Sequence, residues 1–304
     1  MEIQSVLSKI RRRMTPSRRL ERNVIVFTTH KAGSMVVHQV LRNICEKNNI
    51  AHYSENQDPD KQLPLDRMFN GEDFIASRNG CFGPVRYCLS SAALNSANII
   101  LHLRDPRDVL TSMFFSYCFM HPGEIPPNTG YRREVAEMGI DKFVLDMSDE
   151  NFSTYQGGYG TGNPYGAHIG SVHERYRNYL TEIVGRPNAT VLCYEEMVLN
   201  FSGWLRKVLA AFELDNAEET YRFVTSRVNV DNDVTKKAAR SRARPVEPAG
   251  EDIRSHRRKA TPGDHKEKLK PKTILELNRR FSDVLDLMGY TTSGLRGERH
   301  PLNS

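Results

Sequence analysis

Apolar and polar positions along the chain repeat in a strand-then-helix rhythm. The run Asn23–Thr29 is short, apolar and β-branched. It leads through His30-Lys31-Ala32-Gly33-Ser34 into apolar residues at 36, 37, 40, 41, 44 and 45. The first pattern is that of a strand buried on both faces, the second that of the core-facing stripe of a helix. Ile50–Tyr53, Asp73–Ser77, Asn98–Leu103 and Thr190–Tyr194 read as further buried strands, and helices are predicted over 106–118, 169–184, 198–212 and 272–288. The last of these carries Ile274, Leu277, Phe281, Val284, Leu285 and Met288 on one side and stops at Gly289. Alternation of this kind predicts an α/β fold, a central parallel sheet with helices on both faces.

Two regions follow neither rhythm. Residues 120–166 are rich in Gly, Pro, Asn and Tyr and read as long excursions around a short helix near 133–147, the kind of loop that is usually functional or disordered. Residues 228–256 mix Asn, Asp and Pro with many Arg and Lys and read as a mobile basic segment. No internal repeat is present, and no linker splits the chain.

Composition narrows the class. The 304 residues are 38% hydrophobic with 43 Lys+Arg against 37 Asp+Glu, which excludes disordered, collagen-like and disulfide-scaffold chains. No apolar run approaches the roughly 20 residues of a membrane span, and the N-terminus lacks the apolar core of a secretory signal. The five cysteines are scattered without CxxC pairs, which suits a reducing, cytoplasmic location and no structural zinc. Residues 1–22 carry +5 and residues 236–259 carry +6, leaving a body of −5 within the net +6. Those two segments are open to a nucleic acid, a membrane surface or a small polyanion, or are simply solvated.

Two constellations carry chemistry. A strand entering a short Lys/Gly/Ser loop that opens a helix is an anion site: first-turn N–H groups have no helical partner and the helix dipole favours negative charge. There Gly33 allows close backbone approach, Lys31 adds a charge, and Ser34 supplies a hydroxyl or an N-cap. The alternative is an ordinary strand-to-helix turn capped by Ser34. The loop lacks the GxxxxGK[ST] spacing of nucleotide triphosphatases. In Asn98–Ser112, a buried strand delivers Arg104 to its C-terminal end, Pro106 opens a helix, and Ser112 lies two turns beyond Arg104. Arg104 and Ser112 would then grip one anion, or Arg104 would pair with Asp105 or Asp108.

Together these stretches resemble one family. His30-Lys31-Ala32-Gly33-Ser34-Met35 is similar to the 5′-phosphosulfate loop of sulfotransferases, and Arg104 through Ser112 closely matches their 3′-phosphate motif. Tyr194-Glu195-Glu196-Met197 looks like the family's Tyr-Glu-Asp-Met/Leu segment. Arg258-Lys259-Ala260-Thr261-Pro262-Gly263-Asp264-His265-Lys266 looks like the segment that closes on the 3′-phosphate. The resemblance implies a P-loop-like α/β fold and transfer of a sulfuryl group from 3′-phosphoadenosine 5′-phosphosulfate (PAPS) to a hydroxyl or amine, with no metal required. It assigns Lys31, Ala32, Gly33, Ser34 and Met35 to the 5′-phosphosulfate, and Arg104, Ser112, Arg258 and Lys259 to the 3′-phosphate. Tyr194 and Thr225 fall to the adenine, and Lys31 to the charge on the leaving bridging oxygen. The implied organisation is a basic extension over 1–22, the sulfotransferase domain over 23–290 with a substrate lid in 120–166, and a tail over 291–304.

The chain also departs from that pattern. Cytosolic members take the acceptor's proton with a His in a Lys-Thr-His triplet after an early strand; the matching stretch here, Phe74-Ile75-Ala76-Ser77-Arg78, has none. Members acting on tyrosine and glycans use a Glu just beyond the second strand, where Glu55 stands, so Glu55 is the first candidate base, His52 the second and His30 the third. Each has a plainer alternative: a solvated carboxylate for Glu55, a hydrogen-bonded core histidine for His52. Val36, Ala260 and His265 replace family Trp, Gly and Trp residues, so adenine stacking must come from elsewhere. Aromatics at 117, 119, 131, 155, 159 and 165 suit a small amphipathic or ring-bearing acceptor, or pack the loop itself. A P-loop kinase or triphosphatase and a nucleic-acid-binding protein are the competing classes, and no nucleic-acid partner is expected on the family reading.

Overall fold

The computed structural model describes residues 18–54, 78–86, 93–116, 136–148, 172–228 and 262–290. Strand β1 (Val24–Thr28) runs through the middle of the sheet, every residue of it buried. On one side it pairs with β3 (Cys81–Val85) and through that with the short β2 (His52–Tyr53). On the other it pairs with β4 (Asn98–Leu103) and then β5 (Ala189–Cys193). The order is β2-β3-β1-β4-β5 and each pairing is parallel. Strands buried on both faces need apolar side chains at every position, which is why VIVFT and NIILHL read as continuous runs.

The two-residue period divides those side chains between two cores. Val24, Val26, Ile100 and Leu192 face one layer, formed by α1 (Ser34–Asn48), α6 (Tyr194–Leu199), α7 (Phe201–Ala210) and α8 (Ala217–Arg227). Ile25, Phe27, Leu101 and Leu103 face the other, where α2 (Ala93–Ser96), α3 (Pro106–Phe115), α4 (Ile140–Met147) and α5 (Val172–Glu182) pack. The C-terminal helices α9 (Asp264–Lys268), α10 (Pro271–Arg280) and α11 (Ser282–Leu287) close over that second layer. Full burial of a side chain such as Phe27 is worth about 1.5–3 kcal/mol. Among the described residues no helix is long and apolar enough to cross a membrane.

Several boundaries differ from the sequence reading. The stretch expected to form a strand at 73–77 lies outside the described residues, and the strand Cys81–Val85 beside β1 was not predicted. Its Gly83-Pro84 pair hid it, since Pro breaks a strand pattern. Gly83 is required there: at φ 129°, an added Cβ would stand 2.4 Å from the Val26 carbonyl oxygen. The helix expected over 198–212 is two helices, broken at Asn200, whose side chain accepts the Gly203 N–H at 3.0 Å. The helix expected over 272–288 is likewise two, with Phe281 buried at the junction. Tyr194 opens α6 rather than ending β5, and α8 and α9 carried no periodicity strong enough to predict. Residues 1–17, 117–135, 149–171, 229–261 and 291–304, which include most of the expected lid, most of the basic extension and the tail, lie outside the described residues, while the short helix expected near 133–147 is α4.

Candidate active site

Because β1, β3 and β4 are parallel, their C-terminal ends deliver three segments to one edge of the sheet. From β1 comes the loop to α1, in which Lys31 (φ 63°) and Gly33 (φ 75°) are both left-handed. Gly33 is the N-cap, so Ser34 is the first helical residue and not the cap that the sequence allowed. The change follows from Gly33's backbone, which turns the chain into the helix without a side-chain bond. An added Cβ at Gly33 would stand 2.9 Å from Met197 Cε and 3.1 Å from Tyr194 Cε2, so this glycine is demanded by contact as well as by φ.

The end of β4 supplies Arg104, 4% exposed. Its Nη1 donates to the Lys31 carbonyl at 2.9 Å, its Nη2 lies 3.5 Å from Asp108 Oδ2, and its Cζ sits 4.3 Å from the centre of the Tyr194 ring. Asp105, the other partner the sequence allowed, belongs to Arg107, which grips it with Nε at 2.9 Å and Nη2 at 2.7 Å. Arg104 Nε is buried without a hydrogen-bond partner among the described residues. A buried guanidinium donor of this kind suits an anion.

From β3 comes Arg86, which sequence reasoning missed. Its Nη2 donates to Ser34 Oγ at 3.3 Å. Lys31 Nζ contacts Ser116 Oγ at the end of α3. Burial, then the charges of Arg86 and Arg104, drive the Lys31 ammonium down from its ordinary value to about 8. A lysine so crowded by like charge is stabilised by any anion that enters. On α5, Arg175 Nη1 lies 3.0 Å from His30 Nδ1. A guanidinium only donates, so Nδ1 accepts and the neutral ring carries its hydrogen on Nε2. Burial, then Arg175, Arg86 and Lys31, hold His30 well below its usual pKa, so the ring is neutral and weakly basic. Arg175 and Ser116 gave no signal in the sequence, because each looked like an ordinary helix residue.

His52 is buried on β2, with Nε2 donating to the Gly83 carbonyl at 2.9 Å and its ring 5.4 Å from that of His38. His38 in turn meets Ser54 Oγ through Nδ1 at 3.0 Å. Glu55 follows Ser54 but lies outside the described residues. Thr225 Oγ1 bonds the Tyr221 and Arg222 carbonyls of its own helix at 3.0 and 3.1 Å. Met35 is exposed at the start of α1, and Val36 packs against the core beneath it.

The fourth stretch arrives from 155 residues away. Asp108 accepts the Gly263 N–H at 2.8 Å, the His265 N–H at 3.0 Å and His265 Nδ1–H at 2.7 Å. It thereby moors the chain just after Arg258 and Lys259, themselves outside the described residues, to the first turns of α3. Ser112 is one helical turn beyond Asp108 and shares its face. The described parts of the four stretches singled out in the sequence therefore meet at one end of the sheet.

The family model of the sulfotransferase domain matches residues 21–289. This chain belongs to the sulfotransferase family. No curated protein matches it. Among solved structures, mouse sulfotransferase SULT7A1 complexed with PAP is similar over 88% of this chain and 86% of its own, at 16% identity and a TM-score of 0.52. That similarity shows a shared fold. A retinol dehydratase in complex with retinol and PAP aligns over 95% of this chain and 85% of its own, at 14% identity and a TM-score of 0.47. As a sulfotransferase, the chain moves a sulfuryl group from PAPS to an acceptor. The residues present fit that donor: an unpartnered buried Arg104 nitrogen, the crowded Lys31 ammonium and the helix α1 N-terminus converge on the loop.

Proposed function

We propose that this sulfotransferase sulfates a hydroxyl or amine of a small-molecule acceptor, with Lys31, Ala32, Gly33, Ser34 and Met35 around the 5′-phosphosulfate and Arg104, Ser112, Arg258 and Lys259 around the 3′-phosphate. Tyr194, and with it Thr225, is assigned to the adenine side. The observation that carries the reading is the meeting of Lys31, Arg86 and Arg104 at the N-terminus of α1. PAPS supplies a sulfuryl group on a phosphate leaving group. Transfer of this kind is loose and in-line, so positioning and charge relief matter more than covalent help. The Lys31 ammonium is the group placed to neutralise the oxygen left behind when its bond to sulfur breaks. The acceptor's proton goes to the Glu55 carboxylate and from there to water.

The small-molecule class rests on the aromatic side chains of the 120–166 stretch, and a cytoplasmic location on the scattered cysteines without CxxC pairs; the described Cys45, Cys81 and Cys193 are buried. A thermal-shift titration with adenosine 3′,5′-bisphosphate, ADP and ATP, with and without Mg²⁺, tests the donor site. Stabilisation by the bisphosphate alone, independent of metal, is expected. Preference for ATP with Mg²⁺ would overturn the reading in favour of a kinase, and salt-sensitive binding to oligonucleotides in its place would point to the basic segments.

A further inference from the structure

His102 stands on β4 opposite Thr28 of β1 and Leu192 of β5. It shares the sheet face of Ile100 and is completely buried. A buried imidazole is costly unless both nitrogens are bonded. Here Nε2 lies 2.9 Å from the Ala32 carbonyl oxygen, and Trp204 Nε1 lies 3.3 Å from Nδ1. A carbonyl only accepts and an indole N–H only donates, so the ring is held as the neutral Nε2–H tautomer. Trp204, 1% exposed on α7, meets it edge-on with ring centres 5.5 Å apart. Burial drives the His102 pKa down to about 4, so this arrangement persists at neutral pH.

Two residues further on, just past the end of β4, Arg104 draws in the Lys31 carbonyl as His102 draws in that of Ala32. The carbonyl of one residue and the N–H of the next share a peptide plane and, in the trans form, point in opposite directions. Pulling the Ala32 carbonyl toward the sheet therefore turns the Gly33 N–H away from it, toward the end where α1 begins. Backbone N–H groups aimed this way make an anion-binding concavity. We propose that His102, buttressed by Trp204, is a positioning residue that presents the Gly33 N–H to the 5′-phosphosulfate. The proposal rests on the PAPS reading of the loop. The sequence hid it, since a lone histidine inside an apolar strand reads as a core residue.

The test compares two nucleotides by isothermal titration calorimetry at pH 7: adenosine 3′,5′-bisphosphate and adenosine 3′-monophosphate, which lacks the 5′ group. His102→Leu is expected to weaken the bisphosphate about tenfold, the order expected from a lost charge-assisted hydrogen bond, while the monophosphate stays within about twofold. His102→Gln, whose amide N–H reaches the Ala32 carbonyl while its oxygen accepts from Trp204, is expected to recover the bisphosphate to within about threefold of wild type. Trp204→Phe leaves His102 Nδ1 buried without its donor, loosening the ring's hold on the Ala32 carbonyl, and is expected to give an intermediate loss confined to the bisphosphate; it carries the test if His102→Leu fails to fold by circular dichroism. Equal weakening of both nucleotides, or none, overturns the positioning role. A wild-type protein that binds neither nucleotide overturns the PAPS reading and this inference together.

Discussion

Asp108→Asn tests how the nucleotide end of the site is assembled. The Asp108 side chain is fully buried, and its two oxygens receive the Gly263 N–H, the His265 N–H and His265 Nδ1–H at 2.8, 3.0 and 2.7 Å, with Arg104 at 3.5 Å. Asparagine has the same shape but presents one oxygen and an amide that can only donate. Whichever way the amide turns, a buried N–H of 263–265 faces another donor, and Arg104 loses its counter-charge. An unpaired buried donor costs about 1–3 kcal/mol, and a buried ion pair with one partner removed about 3–5 kcal/mol. Both penalties come from one carboxylate, so they overlap, and the expected loss is about 3–5 kcal/mol. Urea unfolding followed by circular dichroism at pH 7 reads it. A loss below about 1 kcal/mol would refute the argument that Asp108 moors the 263–265 segment. Burial alone would raise the Asp108 pKa, but the His265 hydrogen bond and the Arg104 charge outweigh it and hold the carboxyl below its ordinary range. The folded value thus lies under the unfolded one of about 3.9. The stability this group contributes is fully present above about pH 4 and is lost as pH falls toward the folded value. The difference between wild type and variant should therefore be the same at pH 6 and pH 8 and narrow only in acid.

Gly33→Ala adds a Cβ at φ 75° against Met197 and Tyr194, and should cost about 2–3 kcal/mol in thermal unfolding, from about 1–2 for the left-handed backbone and the rest from crowding; unchanged stability would show that the loop relaxes. Since Lys31 titrates at about 8, kcat/KM should fall as pH rises through that value and the ammonium is lost. Arg86→Met, by removing one of the charges that depress Lys31, should move that fall to higher pH; a profile that shifts downward or stays flat contradicts the assignment. Glu55→Gln should lower turnover by about 10²–10⁴-fold while bisphosphate affinity stays within about twofold, and near-normal turnover would remove Glu55 as the base.

The central strands and the loop after β1 were legible because a doubly buried parallel strand leaves an unbroken apolar run and a helix start leaves Gly and Ser behind it. Arg104 was legible for the same reason: it ends such a run. Arg86 was not, because Gly83 and Pro84 erase the strand that carries it. Arg175, Ser116 and Trp204 act on residues 85 to 145 positions away, and periodicity reports only which face of a helix is buried, not what that face meets. Asp108 was noticed as a partner for Arg104, yet its larger role, receiving the backbone of 263–265, depends on a contact no local pattern encodes.

Asp108 and the residues it receives are also far apart in time. A ribosome releases the chain from its N-terminus, so α3 emerges with a carboxylate whose partners have not yet been made. Until His265 appears, that charge must remain hydrated, which holds the start of α3 short of its final burial. The nucleotide end of the site thus cannot be completed until synthesis has passed residue 265, and a chain released before it would carry the strands and the loop after β1 without the contact that fixes the segment opposite them.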